Sequence, residues 1–330
     1  MEKNRKFKIK WQDIVVILAS FALGGVLVWI FVYSDSPQKR ACGSMYSFLS
    51  KEIDCENIDE KVNHIENLHG GFQKIINEEK EARHIIRASI FYRDLNTRRW
   101  FGINDIDKFY PASLVKLPIA ILYFKMAELN PSVFDQRLKI PEDIGDNSDQ
   151  HYQPSNPLLP GNSYTIKEMV EHMLEYSDNA PFSTLADSAG IMREKVFSDL
   201  NVYEPPVGEE NEGAWSVTAR NYANIFRMLY NASYVNADSA NRILSILSQS
   251  SFTNGLVAGV PKGVIVSHKF GEAAGVDRDN NVQSLILNDC GIIYKPEAPY
   301  ILCVMSEGYN YPDLEKFIQR LSREAYDNNL

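Results

Sequence analysis

Tyr110-Pro111-Ala112-Ser113-Leu114-Val115-Lys116-Leu117-Pro118-Ile119 places a hydroxyl and an amine three residues apart at the head of an apolar stretch that runs to Glu128. In a helix, positions i and i+3 share a face, so the side chains of Ser113 and Lys116 can meet. Apolar neighbours that desolvate a lysine amine lower its pKa and let it take a proton from a serine hydroxyl. The pattern alone is weak, because Ser36-Pro37-Gln38-Lys39 repeats it in a polar segment. What separates the two is context, namely whether partners for Ser113 exist elsewhere in the chain.

Length and composition bound the answer first. A chain of 330 residues, 45% hydrophobic and 23% charged, can form one large domain or two small ones. A net charge of −9 leaves no means to assemble a large basic surface, which excludes nucleic acid as a partner class. Four cysteines are too few for a disulfide framework and lack zinc spacing, and the six histidines fit no metal-ligand pattern. No metal or organic cofactor is expected.

Lys3, Arg5, Lys6, Lys8 and Lys10 precede a run from Ile14 to Tyr33 with no charged residue. Roughly 20 apolar residues cross the hydrocarbon core as a helix, and basic residues before it hold that end in the cytoplasm. The run exceeds the roughly 7–15 residues of a signal-peptide core, and its best small-x-small site, Ser34-Asp35-Ser36, is poor. The expected organisation is therefore a cytoplasmic basic segment (1–12), an uncleaved transmembrane anchor (13–33), a juxtamembrane stalk (34–64) and an extracytoplasmic domain (65–330). Cys42 and Cys55 fall in the stalk, where a bridge and two free thiols are both open.

Within the domain, 68–82 reads as a helix, 85–92 and 98–104 as a hairpin, and 114–129 as the helix opened by Ser113. Pro118 sits in its first turns, where a missing N–H matters least. Residues 130–162 are rich in Pro, Asn, Asp and Gly and read as loop. Thr165 with Glu168 spells a capping box for a helix over 167–174, which delivers Tyr176-Ser177-Asp178-Asn179. Helical spacing continues over 181–189, briefly over 194–200, and over 218–230 and 239–249. Strands follow at 263–270, 284–294 and 299–306, with an amphipathic helix over 313–326. Cys290 and Cys303 lie on the last two strands, where small buried side chains are the plain reading. Strands at both ends and helices between make an α+β domain.

Three pieces then stand in order: Ser113-x-x-Lys116, Ser177-Asp178-Asn179 and Lys269-Phe270-Gly271. Together they resemble the S-x-x-K, S-D-N and K-T-G or K-S-G motifs of the class A β-lactamase and penicillin-binding protein superfamily. The likeness extends to 109–119, 164–180 and 254–263, and covers roughly residues 65 to 328. It implies a β-lactamase/transpeptidase-like fold: an antiparallel sheet flanked by helices, with an inserted all-α subdomain.

The resemblance also implies roles. Ser113 attacks a carbonyl and becomes acylated, with Lys116 as base or relay. Ser177 passes a proton toward the leaving nitrogen, while Asn179 holds the substrate amide and Lys116. Lys269 supplies positive charge for a substrate carboxylate, and Gly271 completes that motif. The backbone N–H groups of Ser113 and Glu272 form an oxyanion hole. Asp178 is expected to be structural, as a cap or turn residue.

Two departures qualify the match. Phe270 replaces the usual hydroxyl residue and Glu272 adds a negative charge, and both disfavour an anionic substrate. No Glu-x-x-Leu-Asn sequence supplies the deacylating glutamate; Glu210, among Glu209, Glu210 and Glu212, is the candidate, against the plain reading of an acidic surface loop. The implied activity is a membrane-anchored extracytoplasmic serine hydrolase that forms an acyl-enzyme with β-lactams or related cell-wall amides. The alternatives are a D,D-peptidase of penicillin-binding-protein type acting on peptidoglycan peptides, and a catalytically impaired binding or sensor module.

Overall fold

The computed structural model describes Trp11 and residues 58–144, 147–202, 215–276 and 282–329. The run 13–33, Cys42, Cys55 and the glutamates at 209, 210 and 212 lie outside the described residues. Among the described residues no helix is long and apolar enough to cross a membrane.

Five antiparallel strands form the sheet: β1 (Ile85–Asp94), β2 (Trp100–Ile103), β5 (Val266–Val276), β6 (Val282–Ile293) and β7 (Tyr300–Gly308), in the order β2-β1-β7-β6-β5. The middle strand β7 is buried at nearly every position, so both of its faces are covered and it reads as one apolar run rather than an alternating one. On one face lie α1 (Ile58–Glu81) and α9 (Tyr311–Asn328), whose Phe72, Leu314, Phe317 and Ile318 are buried against the sheet. Helix α1 begins ten residues before the expected 68 and so reaches into the segment read as stalk.

The other face carries the helical block. Ala112–Val115 form a 3-10 turn that runs directly into α2 (Lys116–Leu129). Every residue of α2 from Lys116 to Phe124 is buried, so this part of the helix has no polar face. Such a helix is stable only at the centre of a bundle, and α3 (Ile166–Glu175), α4 (Asn179–Ser188), α5 (Met192–Asp199), α6 (Ala219–Tyr230) and α7 (Ala237–Leu247) supply it. The Thr165–Glu168 capping box forms as the sequence spells it. A short ladder, β3 (Arg137–Lys139) with β4 (Ser163–Thr165), closes the loop between α2 and α3. A one-turn α8 (Leu256–Gly259) leads into β5.

Cys290 and Cys303 face each other across β6 and β7 and form a disulfide. Both are buried, as the sequence reading has them, and that reading leaves their bridging open because the pairing exists only once the register of the two strands is set.

Candidate active site

The site lies where the 3-10 turn, the α3–α4 corner and β5 converge. Two contacts hold the turn: the Tyr222 hydroxyl on α6 donates to Leu114 O at 2.9 Å, and the Asn288 amide on β6 donates to Tyr110 O at 3.0 Å. Strand β5 presses against it from the side. A Cβ on Gly271 would stand 2.8 Å from Pro111 O and 3.0 Å from the Ser113 backbone nitrogen, so only glycine permits this approach.

The α3–α4 corner is three residues long, Tyr176 to Asp178. Ser177 takes a left-handed backbone conformation, with φ of 57°, an uncommon state for a side-chain-bearing residue. Asp178 then caps α4, accepting from Ala180 N at 3.2 Å, and its other oxygen accepts from Leu158 N at 2.7 Å. These bonds fix the corner, so Asp178 acts on structure, as the sequence suggested. Asn147 adds a brace, accepting from Asn179 N at 2.9 Å.

Lys116 Nζ, fully buried, has four oxygen neighbours. Ser113 Oγ lies at 2.9 Å, Asn179 Oδ1 at 2.8 Å and Ser177 Oγ at 3.2 Å, with the Ser177 carbonyl oxygen at 2.5 Å. The carbonyl and the amide oxygen can only accept. A neutral amine has two N–H bonds, and these two acceptors use both of them. Its lone pair is then left for a hydroxyl, and Ser113 and Ser177 are the two hydroxyls present. Burial, with Lys269 adding its charge nearby, holds Lys116 well below the ordinary lysine pKa.

Ser177 Oγ also accepts from Lys269 Nζ at 2.9 Å, so one hydroxyl joins the two lysines. Burial brings Lys269 down to about 7, against the opposing pull of Asp289 and Glu272. Lys269 is 0% exposed, donates to Phe270 O and sits 4.4 Å from the Phe270 ring centroid. Phe270 stacks on Phe252 at 4.2 Å and meets the edge of Tyr152 at 5.8 Å. The aromatic side chain thus packs into a cluster of its own and contributes no polar atom to the site.

Outside Ser113 opens a cavity of about 630 Å³, bordered by Lys116, Gln150, Asn179, Glu272 and Tyr311. Glu272 accepts from Tyr152 N at 2.8 Å through one oxygen. Its second oxygen is buried and lacks a hydrogen bond, and burial, with the nearby Glu272 carboxylate adding to it, raises the Tyr311 phenol's pKa. Ser113, Lys116, Ser177, Asn179 and Lys269 are thus brought together, with Gly271 and Glu272 beside them. Glu210 falls outside the described residues.

Tyr222, Asn147 and Tyr152 escaped the sequence reading. Tyr222 sits at an apolar position of its helix and reads as core, while the two others lie in a loop without periodicity. His268, next to Lys269, pairs with Asp289 at 2.7 Å, and both are fully buried. Among the described residues no group of three or more His, Cys, Asp or Glu is placed to hold a metal.

Comparison with known proteins places the chain. The family model described as "Beta-lactamase enzyme family" matches residues 71–328. A mutant of PBP-A, described as an acyl-enzyme complex with penicillin G, superposes with a TM-score of 0.64 at 21% identity, covering 79% of this chain and 96% of that one. A β-lactamase from Sphaerobacter thermophilus DSM 20745 gives 0.65 at 18% identity, with 78% and 96% covered. A class A β-lactamase from Mycobacterium abscessus gives 0.62 at 19% identity, with 78% and 98% covered. At these identities the likeness to the solved structures shows the fold alone. No curated protein matches the chain.

Proposed function

Because the chain belongs to the beta-lactamase enzyme family, we propose that it is a serine hydrolase whose Ser113 attacks an amide carbonyl and carries the acyl group. One observation carries the reading: Lys116 has both N–H bonds committed to obligate acceptors while Ser113 Oγ stands 2.9 Å from its nitrogen. The lone pair takes the hydroxyl proton as the new C–O bond forms. The proton then reaches the leaving nitrogen through Ser177, whose oxygen touches both lysines. Charge developing on the substrate oxygen is met by the backbone N–H groups of Ser113 and Glu272, and Asn179 holds the substrate amide.

The substrate class is a β-lactam or a related cell-wall amide. Residues 13–33 anchor the chain, with the catalytic domain outside the cytoplasmic membrane. Release of the acyl group by water falls to Glu210, the candidate carboxylate of the segment between Ser177 and Lys269. A second reading, a D,D-peptidase of penicillin-binding-protein type, shares the acylation step and differs in the fate of the adduct. The lack of a Glu-x-x-Leu-Asn sequence favours that reading, because without a deacylating carboxylate the acyl-enzyme persists.

Turnover of a chromogenic cephalosporin tests the proposal. Repeated turnover supports a β-lactamase, and a single burst with persistent labelling supports the peptidase type. Neither burst nor labelling, in wild type at high dose, would sink both.

A further inference from the structure

A second cavity, of about 320 Å³, lies away from Ser113 between β1, β2 and α6. Arg93, Arg220 and Arg227 line it, together with Phe91, Trp100 and Asn224, and no carboxylate does. In a chain of net charge −9, three guanidiniums in one cleft are not a sampling of the average surface.

The three differ in how they are held. Asp105 accepts from Arg220 Nε at 2.5 Å, and the terminal nitrogens of Arg220 make no hydrogen bond among the described residues. Arg227 is oriented through its Nε by Asn224 at 2.8 Å. Arg93 is half-buried, and among the described residues its guanidinium has no hydrogen bond or ion pair. Burial, then Arg227 and Arg98, lower its pKa. A half-buried guanidinium facing like charge is unfavourable unless an anion meets it. Arg220, Asn224 and Arg227 follow one another at i, i+4 and i+7 on α6, so a single helix face presents them together. Trp100 is 46% exposed, lies on Phe91 at 5.5 Å, and has the Arg220 guanidinium 5.0 Å from its ring centroid. The cleft thus pairs planar, fork-shaped donors with one flat apolar wall.

We propose that this cleft binds a phosphate-type oxyanion, with Arg93 and Arg227 donating to its oxygens and Trp100 covering the organic group that carries it. Guanidinium forks match phosphate geometry two bonds at a time. The proposal is independent of the serine chemistry and stands whatever Ser113 does.

Calorimetric titration of the full-length chain with phenyl phosphate, phenol as the uncharged control, and glycerophosphoglycerol tests it. The expected result is saturable binding of phenyl phosphate with a Kd of about 1 mM or tighter and none of phenol. Arg93→Ala and Arg227→Ala, with melting temperatures verifying the fold, each weaken that binding about tenfold or more, and Arg93→Lys weakens it less. Equal binding of the glycerol diester points to envelope lipids or polymers as the source; binding of the monoester alone points to a soluble phosphorylated molecule. No saturable phenyl phosphate binding in wild type, or alanine variants that bind as wild type does, overturns the proposal.

Discussion

Gly271 abuts Ser113 so closely that an added Cβ would meet the Ser113 nitrogen at 3.0 Å and the Leu114 nitrogen at 3.1 Å. Both contacts are to backbone, which cannot swing aside as a side chain would. Gly271→Ala is therefore expected to push β5 away from the 3-10 turn, at a stability cost of about 1–3 kcal/mol. It should slow acylation of Ser113 by about tenfold or more. Labelling rates and urea denaturation of the same variant check this, and an unchanged rate would contradict the geometry described.

Phe270 reads in the sequence as a lost hydroxyl, yet in the fold it is a packing residue, 2% exposed and stacked on Phe252. Phe270→Thr restores the family's residue type and is expected to leave a cavity in the Phe252–Tyr152 cluster. The cost is about 3 kcal/mol or more, read as a lower urea midpoint. A Thr variant as stable as wild type would show that the cluster is not cohesive.

Glu272 bears on substrate charge. Its carboxylate borders the cavity in front of Ser113, with one oxygen lacking a hydrogen bond. Glu272→Gln keeps an acceptor for Tyr152 N and removes the charge. Acylation by penicillin G should then rise roughly five- to tenfold, the effect of about 1 kcal/mol of like-charge repulsion, the size expected for two charges close together in water-like screening. Acylation by an uncharged thioester should hardly change. Equal effects on both donors would show that charge is not the cause.

Lys269 gives a pH dependence with a defined sign. Its folded pKa of about 7 lies below the ordinary lysine value of 10.5. Between those limits the unfolded chain binds a proton that the folded chain does not, so stability rises with pH, by up to about 1.4 kcal/mol per unit. That gain is lost as pH falls toward 7. Denaturation of wild type and Lys269→Met at pH 7 and pH 9 should show the larger rise in wild type. Parallel profiles would contradict a neutral buried amine.

The Ser113–Lys116 pair was legible because helical geometry alone dictates that i and i+3 meet, and the 3-10 turn that precedes α2 still brings them to 2.9 Å. The α+β class and the order of elements were legible for a related reason: the periodicities of 3.6 and 2 are local properties. What sequence could not show depends on long-range register. The Cys290–Cys303 bridge needs β6 and β7 aligned, and the covering of Phe270 needs a loop residue, Tyr152, brought 118 positions along the chain. The arginine cleft draws on β1, β2 and α6, which come together only in the folded chain.

Peptide mass mapping after exposure to penicillin G at high dose tests the central claim most directly. An adduct of the full penicillin mass is expected on the peptide that holds Ser113 in wild type, absent in Ser113→Ala and formed at least about a hundredfold more slowly in Lys116→Met, as befits a lost general base. An unmodified Ser113 in wild type, or an adduct that persists at the same rate without Lys116, would contradict the account.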